Sequence, residues 1–101
     1  MDTKTLIAEA KARFNHNSAK AYLAEKYKNK LIVAEQGGLW KADPATISFL
    51  DSFDTPQLVL IDTFDNPVQV YRKELLEKLK QVYESTMTEW YIEWKELEGK
   101  R

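Results

Sequence analysis

Four aspartates sit in two near-copies of one segment, eleven residues apart. Leu50-Asp51-Ser52-Phe53-Asp54-Thr55-Pro56 is followed by Ile61-Asp62-Thr63-Phe64-Asp65-Asn66-Pro67. Asp51, Asp54, Asp62 and Asp65 offer hard oxygen donors, so the chemistry they suggest is Ca²⁺ or Mg²⁺ ligation. An EF-hand loop, however, needs alternating ligands, a central Gly and a closing Glu, and neither copy has them. Turn formation explains the same residues more simply. Asp accepts hydrogen bonds from nearby backbone N–H groups, and Pro fixes the direction in which the chain leaves. On that reading each Phe plugs the core beneath its turn, no metal is held and no cofactor is expected.

Other catalytic chemistry has little to work with. His16 is the single histidine, and it lies in an Asn-rich stretch suited to capping or loop duty. The absence of Cys removes thiol nucleophiles, disulfides and Cys-based zinc sites. Gly37-Gly38 is too short to cradle a phosphate, and no nucleophile-elbow or Walker-type pattern occurs. A paired-carboxylate hydrolase remains formally open, but 101 residues without a second domain make a poor cleft. The expectation is therefore a protein with no catalytic residues.

The second cluster is aromatic. Leu76, Leu79, Tyr83, Met87, Trp90, Trp94 and Leu97 recur at spacings of three and four, a near-heptad seam. Tyr91 and Ile92 lie off that seam, so this stretch is apolar on more than one side. Trp and Tyr dominate protein-protein hot spots. Tyr83, Met87, Trp90, Tyr91, Trp94 and Leu97 are accordingly the candidate interaction residues, with burial in the protein's own core as the alternative.

The elements that must position these residues follow from periodicity and punctuation. Residues 3–14 and 18–27 each carry a helical stripe, and together they form an αα-hairpin or one bent helix. Leu31–Ala34 and Leu39–Ala42 read as strands about a Gln36-Gly37-Gly38 turn. Asp43-Pro44 starts a short helix, with Asp capping and Pro in the first turn. Gln57–Ile61 is the most apolar run and reads as a strand buried on both faces, with Val68–Tyr71 pairing back on it. Arg72 to about Glu98 contains no Gly or Pro and is one long helix of roughly 40 Å. The result is a single α+β domain over 1–101, of order α-α-β-β-α-β-β-α. Its two hairpins form a small antiparallel sheet, packed by the long C-terminal helix.

Composition excludes several classes. With 44% hydrophobic and 31% charged residues the chain is neither disordered nor a membrane span. Met1–Thr5 lacks the apolar stretch of a secretory leader. The formal charge of -1 gives no field for nucleic acid or anionic membrane. Its distribution is uneven. Residues 1–30 hold seven Lys/Arg against three Asp/Glu, residues 31–71 hold Lys41 against six acids, and residues 72–101 hold seven of each. Such a dipole could orient a partner or a second copy of the chain.

At Gln36–Asp43, Val59–Val68 and Trp94–Leu97 the chain resembles small uncharacterised proteins of contractile-tailed marine cyanophages. The resemblance covers most of the chain, carries no catalytic motif and transfers no functional residue. It implies a virion component, an assembly factor or a host-directed modulator, found in the virion or the host cytoplasm.

Overall fold

The computed structural model describes residues 3–99, with side chains described from Asn15 onward. The elements are α1 (Thr3–Lys30), β1 (Ile32–Glu35), β2 (Gly38–Lys41), α2 (Pro44–Asp51), β3 (Gln57–Ile61), β4 (Pro67–Tyr71) and α3 (Arg72–Gly99). The α+β class and the expected order hold. The two leading helical segments are continuous, which is the single-helix arrangement. Asn15, His16 and Asn17 are weak helix formers, but each costs only a few tenths of a kcal/mol and none breaks the backbone ladder.

The β1–β2 hairpin turns through Gln36 (φ 50°) and Gly37 (φ 80°), so both central residues take the positive φ of a primed turn. Gly38 has a different duty. A Cβ there would lie 2.5 Å from Cζ2 of Trp40. The indole lies against the bare backbone and donates from Nε1 to the Glu35 carbonyl at 2.8 Å. Asp43 caps α2 as its sequence suggests, accepting from the Thr46 N–H at 2.8 Å. At the other end Arg72 donates from Nη1 to the Leu50 carbonyl at 3.2 Å and from Nε to the Thr55 carbonyl at 2.9 Å. That places a cation where the α2 dipole is negative.

Trp40, Val33, Ala42, Leu50 and Val70 close around Leu75, Leu76 and Leu79 of α3 to form the core. These elements make a small head. The hairpins are two separate two-stranded sheets, not one ladder. They join through the Asp62 carboxylate and through Thr63, whose N–H donates to the Leu39 carbonyl at 3.0 Å. Because β3 and β4 have only one covered face, β3 is not buried on both sides. Leu58 and Leu60 turn inward, while Val59 and Ile61 are 67% and 62% exposed.

Beyond the head, α3 runs antiparallel to α1 as a two-helix stalk. Lys30 pairs with Glu89, Lys26 with Glu93 and Lys20 with Glu98, so α1 continues past the end of α3 towards Thr3. The molecule measures 66 × 25 × 19 Å, and its radius of gyration is 19.4 Å. A compact chain of this length would give about 13 Å.

Candidate functional site

The stalk seam differs from the expected stripe by about one residue. Leu75, Leu79, Val82, Thr86, Trp90, Glu93 and Leu97 form the inward row; the first, second and fourth of these are buried and the others half-buried. Leu76, Tyr83 and Met87 flank it. Two polar side chains, Thr86 and Glu93, occupy the row, and an apolar count passes over both.

Tyr27 explains their presence. Its ring is almost fully buried and stacks on Trp90, with centroids 6.0 Å apart and planes 9° from parallel. Its hydroxyl donates to Glu93 Oε1, and Lys26 Nζ donates to both oxygens of the same carboxylate at 3.0 and 3.3 Å. Lys26 and Lys30 also lie 5.1 and 4.9 Å from the Tyr27 ring centroid, within cation–π range. The Tyr27 hydroxyl, followed by Lys26, holds the Glu93 carboxyl below its ordinary range. The Glu93 carboxylate in turn raises both the Tyr27 phenol and the Lys26 ammonium.

This geometry sorts the candidate interaction residues. Trp90 and Leu97 belong to the seam, and Tyr83 and Met87 are half-buried beside it. Tyr91 and Ile92 face outward at 59% and 52% exposure, and Trp94 is 38% exposed. Tyr91 stacks on Trp94 at 6.3 Å between centroids. Lys20 lies over Trp94 at 5.7 Å and Lys95 over Tyr91 at 6.0 Å. Tyr22 of α1, 71% exposed, adds a further outward ring. Trp90 is thus a packing residue, whereas Tyr91 and Trp94 form an accessible aromatic face and Ile92 is exposed on the other flank of α3.

The four aspartates do not converge. Among the described residues no three His, Cys, Asp or Glu side chains are grouped to hold a metal ion. Asp62 alone is buried. Its Oδ1 accepts from the N–H groups of Phe64 at 2.9 Å and Asn66 at 3.0 Å, and its Oδ2 accepts from Leu39 N–H at 3.2 Å. These donors, Asn66 foremost, hold its carboxyl below the ordinary range. Asp65 takes φ 62° in the same turn. Asp51 and Asp54 are exposed. The phenylalanines do not plug the core either. Phe64 is 70% exposed, and Phe53 packs edge-on against Phe49 at 5.0 Å. The repeat is turn grammar, and of its four carboxylates only Asp62 reaches across to the other hairpin.

His16 is no part of a relay; its Nε2 lies 3.7 Å from Glu98 on the neighbouring helix. Spacing puts Tyr27 on the apolar stripe of residues 18–27, where it is indeed buried, but could not have singled out Lys26 or Glu93. One signal was available: the basic excess of residues 1–30 facing an acid-containing helix.

Fold and surface together define an elongated α+β protein, a small head carrying a two-helix stalk with an exposed aromatic face. The chain matches no protein-family model, no curated protein and no solved structure.

Proposed function

We propose that this is a non-enzymatic interaction protein that docks another protein through the outer face of α3. One observation carries the reading. With α1 already seated on the Trp90 side, Tyr91, Ile92 and Trp94 still present aromatic and aliphatic surface near the end of the stalk. Isolated apolar residues are ordinary on a surface, but a stacked and exposed Tyr–Trp pair has the make-up of a hot spot. The pairing of Lys20, Lys26 and Lys30, three of the seven basic residues in 1–30, with glutamates favours this over nucleic-acid binding. The cyanophage resemblance points to a virion or host protein as partner, with self-association as the second possibility. No helix among the described residues is long and apolar enough to cross a membrane.

The test is the double substitution Tyr91→Ala with Trp94→Ala. Its circular dichroism spectrum should match wild type, while association falls roughly 30-fold, the equivalent of one hot spot of about 2 kcal/mol. Sedimentation velocity reads self-association, and quantitative pull-down from infected host cells reads a heterologous partner. Identical sedimentation and identical capture by wild type and variant would remove the proposal. Trp90→Ala is the contrasting case and should loosen the stalk itself.

A further inference from the structure

The β3–β4 hairpin has one closed edge and one open edge. Its hydrogen-bond phase is set at both ends: Asp62 N–H donates to the Asn66 carbonyl at 3.0 Å, and Arg72 N–H to the Pro56 carbonyl at 2.9 Å. Bonded and non-bonded pairs alternate along an antiparallel ladder. Leu60/Val68 and Leu58/Val70 are therefore bonded pairs, and Gln57/Tyr71, Val59/Gln69 and Ile61/Pro67 are not. It follows that the backbone groups of Val59 and Ile61 point away from β4, and those of Gln69 and Tyr71 point away from β3.

The β4 edge is blocked at both ends. The Gln36 side chain acts as a one-residue strand, accepting from Tyr71 N–H at 2.7 Å and donating to the Tyr71 carbonyl at 3.2 Å. Pro67 offers no donor. Nothing equivalent covers β3. Among the described residues no group bonds the outward N–H or C=O of Val59 or Ile61. Gln57–Ile61 contains no charge, proline or bulge, the devices by which proteins protect an edge. A groove of about 520 Å³ runs between this strand and α2, lined by Trp40, Phe49, Leu50, Val59, Leu60 and Ile61 among others. Phe49 on its wall is 52% exposed.

Charge selects the occupant. Residues 31–71 hold one lysine and six acids, and the exposed Asp54 and Asp65 bracket β3 in sequence. Two copies placed edge to edge would bring like charges together, whereas a basic segment would be attracted. We infer that the outer edge of β3 binds an extended peptide segment of a partner, apolar at alternate positions and basic at its flanks, as an added strand. Backbone bonds to Val59 and Ile61 would fix its register, and alternate side chains would enter the groove beside Phe49.

The probe is a fluorescein-labelled peptide, Lys-Lys-Val-Thr-Val-Thr-Val-Lys-Lys, compared with the same core flanked by Glu. Anisotropy should show the Lys-flanked peptide binding at least about tenfold tighter, with an advantage that shrinks as salt rises. Hydrogen exchange should show Leu58 and Leu60 amides slow before addition, and Val59 and Ile61 amides slow only after it. Val59→Pro removes an edge donor that the β3–β4 ladder does not use, and should weaken binding about tenfold. Ile61→Lys tests the same edge if the proline variant fails to fold. Three results overturn the inference: no binding of the Lys-flanked peptide at millimolar concentration, binding unaltered by these variants, or sedimentation as a dimer with Val59 and Ile61 protected in the absence of peptide. The last would make a second copy the occupant.

Discussion

Gly38→Ala is the sharpest single test of how the head is assembled. The added methyl would sit 2.5 Å from Cζ2, 2.8 Å from Cε2 and 3.1 Å from Nε1 of Trp40. The indole is 4% exposed and packed within the core, so it has little room to retreat. Overpacking of this kind costs about 1–3 kcal/mol. Moving Nε1 away from the Glu35 carbonyl sacrifices about 1 kcal/mol more. The reduced freedom of the unfolded chain returns about 0.4–1 kcal/mol. The net loss is about 2 kcal/mol, or a fall in Tm of roughly 8–16 °C at this chain length. Urea denaturation followed by circular dichroism measures it. Gly37→Ala is the control: nothing lies within 4 Å of its Cβ position, and only the φ of 80° opposes the substitution. It should cost about 1–2 kcal/mol before the same entropic return, so the Gly38 variant is the weaker of the two. Trp40→Phe, with a smaller ring, should partly relieve Gly38→Ala and give a coupling of about 1 kcal/mol in a double-mutant cycle. Gly38→Ala within about 0.5 kcal/mol of wild type, or strictly additive effects, would refute this account of the hairpin.

Two further outcomes follow from the titrating groups. The Glu93 carboxyl is held below its ordinary 4.5, so its contribution to the stalk is present above that value and lost as pH falls through the lower folded value. Tyr27 and Lys26 are raised from 10.0 and 10.5; their contribution is complete below those values and disappears as pH rises through the folded ones. Thermal melts should therefore be flat from about pH 5 to 9 and decline on both sides. Glu93→Gln should lower the plateau and flatten the acid limb, and an acid limb of unchanged steepness would contradict that assignment. Asp62→Asn can keep its oxygen on the Phe64 and Asn66 N–H groups but then turns an amide NH₂ towards the Leu39 N–H, which now meets a carboxylate oxygen. The urea midpoint should fall, and the part of the acid sensitivity that comes from Asp62 should vanish. An unchanged midpoint would show that the hairpins are joined without it.

Local chemistry made several elements legible. Asp43-Pro44 announced α2 because capping and the first-turn proline are decided within three residues. Gln36-Gly37-Gly38 announced the hairpin because glycine tolerates positive φ, although the positive values fall on Gln36 and Gly37. The unbroken run from Arg72 announced α3. What remained hidden depends on residues far apart in the chain. Asp51 and Asp62 have nearly the same neighbours in sequence, but only Asp62 meets the Leu39 N–H, 23 positions away. The α3 stripe was right at Leu79, Trp90 and Leu97 and one residue out at its other four positions, because Thr86 and Glu93 are polar yet face inward, and Glu93 does so where Tyr27 and Lys26 supply donors. Gln57–Ile61 looked buried on both faces because an apolar run does not reveal how many layers cover it.

The stalk puts these observations in order. Its ion pairs are partly exposed, and such pairs contribute about 0–1 kcal/mol each, so they cannot by themselves hold two long helices together. The Tyr27–Trp90 stack, with Leu23 beside it, supplies the apolar burial that the lysines and glutamates then orient. Pairing α1 with α3 also redistributes the charge of the molecule. Lys20, Lys26 and Lys30 of α1 are answered by glutamates of α3, whereas residues 31–71 hold Lys41 against six acids. Tyr91–Trp94 lies about 30 Å along α3 from Arg72, where the helix leaves that head. The aromatic face on the stalk and the acidic β3 edge on the head are therefore distinct surfaces joined by one continuous helix, so the two proposed dockings can be tested independently of each other.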